Sequence, residues 1–112
     1  MRPTNEELFA LTKLFPGAEP VDIAVAASAR EASVIERTFT DGGGFSTIKF
    51  ASPLPPTDGS LQRDWNFSHR DLEYGGSFMA ALVYPDVIEL EFVAHVESWP
   101  TGFDPNAFLE SE

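Results

Sequence analysis

The sequence predicts an α+β fold, with one N-terminal helix packed on an antiparallel sheet of five or six strands, and three observations carry that expectation. A capping-box spacing and an apolar stripe at helical intervals open the chain and stop at Pro16-Gly17. From Val34 onward apolar residues recur at every second position, in runs divided by Gly- and Pro-containing turns. The 112 residues suffice for one core and leave no room for a second, so 1–112 is read as a single domain.

Thr4 stands three residues before Glu7, and Leu8, Leu11, Leu14 and Phe15 follow at helical spacing, which gives a helix over about 5–14. Residues 20–33 carry two signals. Val21-Asp22-Ile23-Ala24-Val25 alternates like a strand, while the alanines after it favour a helix. A strand over 21–27 is the expectation, with a helix over 20–33 as its alternative. Two β-rich runs, 34–40 and 45–51, flank Asp41-Gly42-Gly43-Gly44 and form a hairpin. The glycines do not make a phosphate loop, because a strand and not a helix follows them.

Residues 52–60 hold Pro53, Pro55, Pro56, Asp58 and Gly59 and read as an exposed loop. In 61–70, Leu61, Arg63, Trp65, Phe67 and His69 alternate with Gln62, Asp64, Asn66, Ser68 and Arg70, so one strand face is aromatic and the other polar. A turn is expected at Tyr74-Gly75-Gly76, then strands over 77–84 and 87–97 joined at Pro85-Asp86. At the tail, Asp104 caps one helical turn that starts at Pro105, with Phe103, Phe108 and Leu109 clipping it to the body. The sheet is expected to run largely as a meander and to curl toward a partial barrel.

Charge is placed unevenly. The last base is Arg70, and the 42 residues after it hold nine acids, whereas residues 1–70 hold nine acids and all seven bases. The net charge of −11 therefore divides into −2 before that point and −9 after it. Such a field repels nucleic acid and anionic lipid and attracts cationic surfaces, so the expected partner is a basic protein surface, with no direct nucleic acid and no membrane. The longest apolar run, 78–84, is about a third of the roughly 20 residues a spanning helix needs. Residues 1–18 lack the apolar stretch of a secretion signal, and the absence of cysteine suits a reducing compartment, so the expected location is cytoplasmic.

Within the last hairpin, Ile88, Leu90, Phe92, Ala94 and Val96 point to the core, and Glu89, Glu91, His95 and Glu97 point away. If Pro85-Asp86 is a two-residue loop, Leu82 faces Glu89 and Phe78 faces Val93. Acids then ring exposed apolar side chains, as at a protein interface. The candidate partner-binding set is accordingly Glu89, Glu91, Glu97 and Asp86 for the field, with Tyr84, Phe78 and Leu82 as anchors.

Catalytic and metal motifs are absent: there is no D-x-D-x-D-G, HExxH or GxSxG. His69 and His95 have no carboxylate brought to them by sequence spacing, and the Glu89/Glu91 pair is read as a solvated strand feature, with no metal and no cofactor. The leading expectation is a non-enzymatic inhibitor or immunity-type module that occupies a nucleic-acid-binding surface of a partner, for instance a phage-encoded antagonist of bacterial defence. A small structural or virion subunit forming a homo-oligomer is the alternative. A small enzyme or ligand-binding protein, with a cone-like sheet lined by Trp65, Phe67, Phe78 and Phe92, is third.

Overall fold

A computed structural model describes residues 1–57 and 61–111; Asp58, Gly59 and Ser60 of the expected loop, and Glu112, lie outside the described residues. The first helix, α1 (Asn5–Leu14), begins where the capping box places it. The Glu7 amide donates to Thr4 Oγ1 at 3.1 Å, and the Thr4 amide donates back to Glu7 Oε1 at 2.8 Å. Ala10, Leu11 and Leu14 are buried under it.

The expected strand at 21–27 is instead a second helix, α2 (Pro20–Ser28), which passes into a 3₁₀ turn at Ala29–Glu31. Pro20 stands at the first turn, where its fixed φ suits a helix and its missing N–H leaves no partner wanting. The decisive contrast is Ile23: a strand would put it on one face with Val21 and Val25, yet those two are buried and Ile23 is 59% exposed. The alanines favour the helix, and the i, i+4 pair of valines gives it a buried edge.

The sheet contains β1 (Ser33–Thr40), β2 (Gly43–Lys49), β3 (Gln62–His69), β4 (Leu72–Val83), β5 (Val87–Ala94) and β6 (Phe108–Glu110). Its order is β1-β2-β5-β4-β3-β6, with antiparallel pairing throughout, so it is a hairpin joined to a three-stranded meander. The sheet is open, with β1 and β6 at its edges; it does not close into a barrel. The sixth strand comes from the tail, where Asp104 caps a 3₁₀ turn and Phe108 then pairs with His69. Tyr74-Gly75-Gly76 is not a turn. The chain reverses at Arg70-Asp71, and Gly75, at φ +67°, sits in an irregular stretch of β4 where a Cβ would come within 2.3 Å of the Phe67 carbonyl.

The connection after β4 corrects a second expectation. Val83 pairs with Val87, so Tyr84, Pro85 and Asp86 form a three-residue loop. The Phe50 and Leu54 amides donate to the Asp86 and Pro85 carbonyls at 2.7 Å each, which ties this loop to the start of the Pro-rich segment. One added loop residue shifts the register by one and exchanges the faces of β4. Phe78, Ala80 and Leu82 therefore oppose Phe92, Leu90 and Ile88 on the core side, and Met79 and Ala81 oppose Glu91 and Glu89.

Both helices lie on one face of the sheet, over a core that includes Ile48, Phe50, Phe67, Phe78, Ile88 and Leu90, each 1% exposed or less. The aromatics once read as a pocket lining fill it: Phe67 and Phe78 have centroids 5.0 Å apart, and Trp65 stacks on Phe78 at 5.8 Å. Two ion pairs pin the helices to the sheet. Arg37 of β1 forks onto Glu7 at 3.0 and 2.6 Å, and Arg63 of β3 donates to Asp22 at 2.7 Å and to the Leu14 carbonyl at 3.0 Å.

Candidate functional site

No helix covers the other face of the sheet, and strand alternation sorts its side chains into cross-strand rows. One row runs Glu36, Thr47, Glu89, Ala81, Gln62, and the next runs Thr38, Phe45, Glu91, Met79, Asp64. Adjacent strands lie about 4.8 Å apart and alternate residues about 7 Å apart, so these ten side chains fall on one patch. They line a trough of about 850 Å³. Four are carboxylates, Glu36, Asp64, Glu89 and Glu91, and the floor is Phe45, Met79 and Ala81, with Phe45 49% exposed.

None of the four acids has an ion-pair or hydrogen-bond partner among the described residues. Four of the seven bases are engaged elsewhere. Arg37 and Arg63 turn to Glu7 and Asp22 on the covered face, Lys49 reaches Asp86 at 3.5 Å, and Arg70 reaches Asp104 at 3.1 Å and Asp71 at 3.5 Å. Arg63 also borders the trough, but its guanidinium lies on the helix side with Asp22 and over the Phe15 ring.

The residues singled out in sequence separate into three groups. Glu89 and Glu91 are in the trough. Asp86 sits at the β4–β5 loop with Lys49, Tyr84 is exposed in the same loop, and Glu97 lies beyond β5, where it accepts from the Tyr74 amide at 3.2 Å. Phe78 is fully buried and Leu82 packs against the core, so neither stands on the open face. Val96 also departs from expectation: β5 ends at Ala94, and Val96 is exposed. Glu36, Asp64, Phe45 and Met79 were missed. Their alternation was readable, but the pairings do the rest: β1–β2–β5 brings Glu36 and Phe45 beside Glu89 and Glu91, and the one-residue register change of β4 on β5 brings Met79, with Asp64 behind it on β3.

The next row holds Val93, Ser77 and Asn66. Ser77 Oγ is 2.8 Å from His95 Nε2 and donates to Asn66 Oδ1 at 2.5 Å, while His95 Nδ1 is 3.1 Å from the Tyr74 carbonyl. This has the outline of a nucleophile and its base, but Ser77 is buried and its proton is directed to Asn66. His69 is buried against Phe108 and accepts from the Asp71 amide; burial pushes its pKa below the ordinary value. Among the described residues no three His, Asp or Glu side chains are grouped to hold a metal ion.

No helix among the described residues is long and apolar enough to cross a membrane. Comparison of the chain with family models, curated proteins and solved structures finds no match in any of the three.

Proposed function

We propose that the open sheet face docks onto a cationic surface of another protein, as an inhibitor or immunity-type module does when it occupies a nucleic-acid-binding site. The single observation that carries this is the trough: four unpartnered carboxylates around a floor of Phe45, Met79 and Ala81. Arginine fits such a surface well. Its guanidinium forks onto a carboxylate while its methylenes lie on apolar ground. The acids, Glu89 and Glu91 at the centre and Glu36 and Asp64 at the ends of the rows, speed encounter and set salt dependence, and the apolar side chains between them supply contact that survives screening. A second copy of this chain would bring the same four carboxylates against themselves, which argues against self-association through this face.

The test is a pull-down from the native cell at low and high salt, followed by titration of the captured protein with purified chain. Glu89→Lys combined with Glu91→Lys reverses the sign of the trough's centre and is expected to abolish capture. Association of the unaltered chain is expected to slow by about tenfold or more on going from low to high salt. Salt-insensitive capture, or an unaffected double variant, refutes the proposal.

A further inference from the structure

A second cavity, of about 690 Å³, lies at the N-terminal end of α1 and is separate from the trough. Phe39, Phe92, Trp99 and Phe103 line it together with Glu6, Asp41 and the Glu7–Arg37 ion pair. Its walls are fixed by the segment after β5: the Trp99 amide donates to the Asp41 carbonyl at 2.9 Å, and the Trp99 ring packs on Phe92 at 5.1 Å. Phe39 stands at the rim, 71% exposed, where its ring is open to a ligand.

The carboxylates here are not equivalent. Glu7 is bound by Arg37, and both oxygens of Asp41 accept from Ser98 Oγ, at 3.0 and 2.9 Å. Glu6 is half-buried and has no cation: one oxygen accepts from Trp99 Nε1 at 3.2 Å, and the other has no partner among the described residues. Burial, opposed in part by the Trp99 hydrogen bond and reinforced by Glu7, raises its pKa. The Arg37 guanidinium neutralises Glu7, so the partial positive charge at the start of α1, about half a unit, is offset by Glu6, and the net negative charge of the cavity rests on Glu6 and Asp41.

We propose that this cavity binds a small organic ammonium ion, its charge held by Glu6 and its alkyl groups by Phe39, Trp99 and Phe103. Aromatic faces attract quaternary and alkylated ammonium groups through their quadrupoles, most strongly where water is displaced. A divalent metal would require several anionic oxygens, and among the described residues only one carboxylate oxygen of this cavity is without a partner. A guanidinium would want both oxygens of Glu6, and Trp99 already holds one.

The experiment is a titration of the full chain with tetramethylammonium chloride at constant ionic strength, following the Trp99 indole N–H by ¹H–¹⁵N NMR. The resonance, assigned by its loss in Trp99→Phe, is expected to move and saturate. Equal additions of sodium chloride, or of tert-butanol as a neutral molecule of similar size, are expected to leave it in place. Glu6→Gln keeps an oxygen for Trp99 and is expected to weaken binding by about tenfold or more, and Phe39→Ala by severalfold. An equal response to sodium or to tert-butanol overturns the proposal, as does unchanged affinity in Glu6→Gln. The comparison of the probes is made on the unaltered chain, whose two indole N–H signals can equally be assigned by loss of the other in Trp65→Phe, so it decides the matter even if one substitution unfolds the chain. Neither result bears on the trough.

Discussion

The two faces of the sheet handle charge in opposite ways. On the covered face every buried acid is matched: Glu7 accepts from Arg37, Ser46 and the Thr4 amide, and Asp22 accepts from Arg63. On the open face Glu36, Asp64, Glu89 and Glu91 have no counterion among the described residues. The covered face obeys the rule for low dielectric, where an uncompensated ion is very costly. The open face ignores it because water solvates its acids. The contrast shows where the seven bases matter: two of the three arginines on or beside strands serve folding, and none serves the trough.

The largest expected effect comes from breaking the covered side. Arg37→Met leaves the Glu7 carboxylate buried without its cation, and removing one partner of such a pair costs about 3–5 kcal/mol. Urea unfolding at neutral pH is expected to show that loss. Adding Glu7→Gln removes the buried charge and keeps one oxygen for the Thr4 amide, while its NH₂ can donate to Ser46 Oγ, and is expected to recover part of the loss. A loss below about 1 kcal/mol in Arg37→Met would mean that water reaches Glu7 and the two faces do not differ in kind.

Acid should unmask the same pair. Burial works against the charged form of Glu7, but the hydrogen bonds from Arg37, Ser46 and Thr4 outweigh it and hold its pKa below the ordinary 4.5. An acid whose pKa is depressed by folding stabilises the native state above its unfolded value, and that contribution is lost as pH falls through the folded value. The unfolding free energy is therefore expected to drop on acidification below about 4.5, and to drop less in Arg37→Met/Glu7→Gln. Glu6 opposes this in sign: its raised pKa destabilises the native state above the ordinary value and ceases to do so as pH falls. Glu6→Gln is expected to raise the urea midpoint at pH 7.

Much of the fold was legible because short-range rules fixed it. The capping box set α1, the run Asp41-Gly42-Gly43-Gly44 marked the first hairpin, although Gly43 and Gly44 belong to β2 and only Asp41 and Gly42 form its loop, and Asp104-Pro105 marked the last turn. What was not legible depended on one residue more or less, or on distant pairing. Val21, Ile23 and Val25 satisfy a strand pattern over too short a span to exclude a helix, and packing under the sheet decided for the helix. A loop of three residues rather than two moved Phe78 and Leu82 from the proposed contact surface into the core. The charge asymmetry along the chain was real but did not translate into space. Of the eight described acids after Arg70, only Glu89 and Glu91 enter the trough, and Glu36 and Asp64 join them from the other part of the chain.

That last difference yields the finest test, because chain position and spatial position rank the acids differently. If the trough sets the field, Glu36→Gln and Asp64→Asn should each slow association with the cationic partner, by a few-fold at low salt and less at high salt. Glu97→Gln and Asp86→Asn should change it less, since Glu97 lies beyond β5 and Asp86 already faces Lys49. Stopped-flow association rates at two ionic strengths read this directly. Exposed acids contribute little to stability, so Glu36→Gln and Asp64→Asn should unfold within about 0.5 kcal/mol of the parent, and Glu97→Gln and Asp86→Asn, which are half-buried but keep an oxygen for their partners, within about 1 kcal/mol, which separates an effect on encounter from one on folding. Equal slowing in all four would return the charge to a diffuse property of the whole molecule. Slowing confined to Glu36 and Asp64 would assign it to the rows that β1, β2, β5, β4 and β3 build side by side.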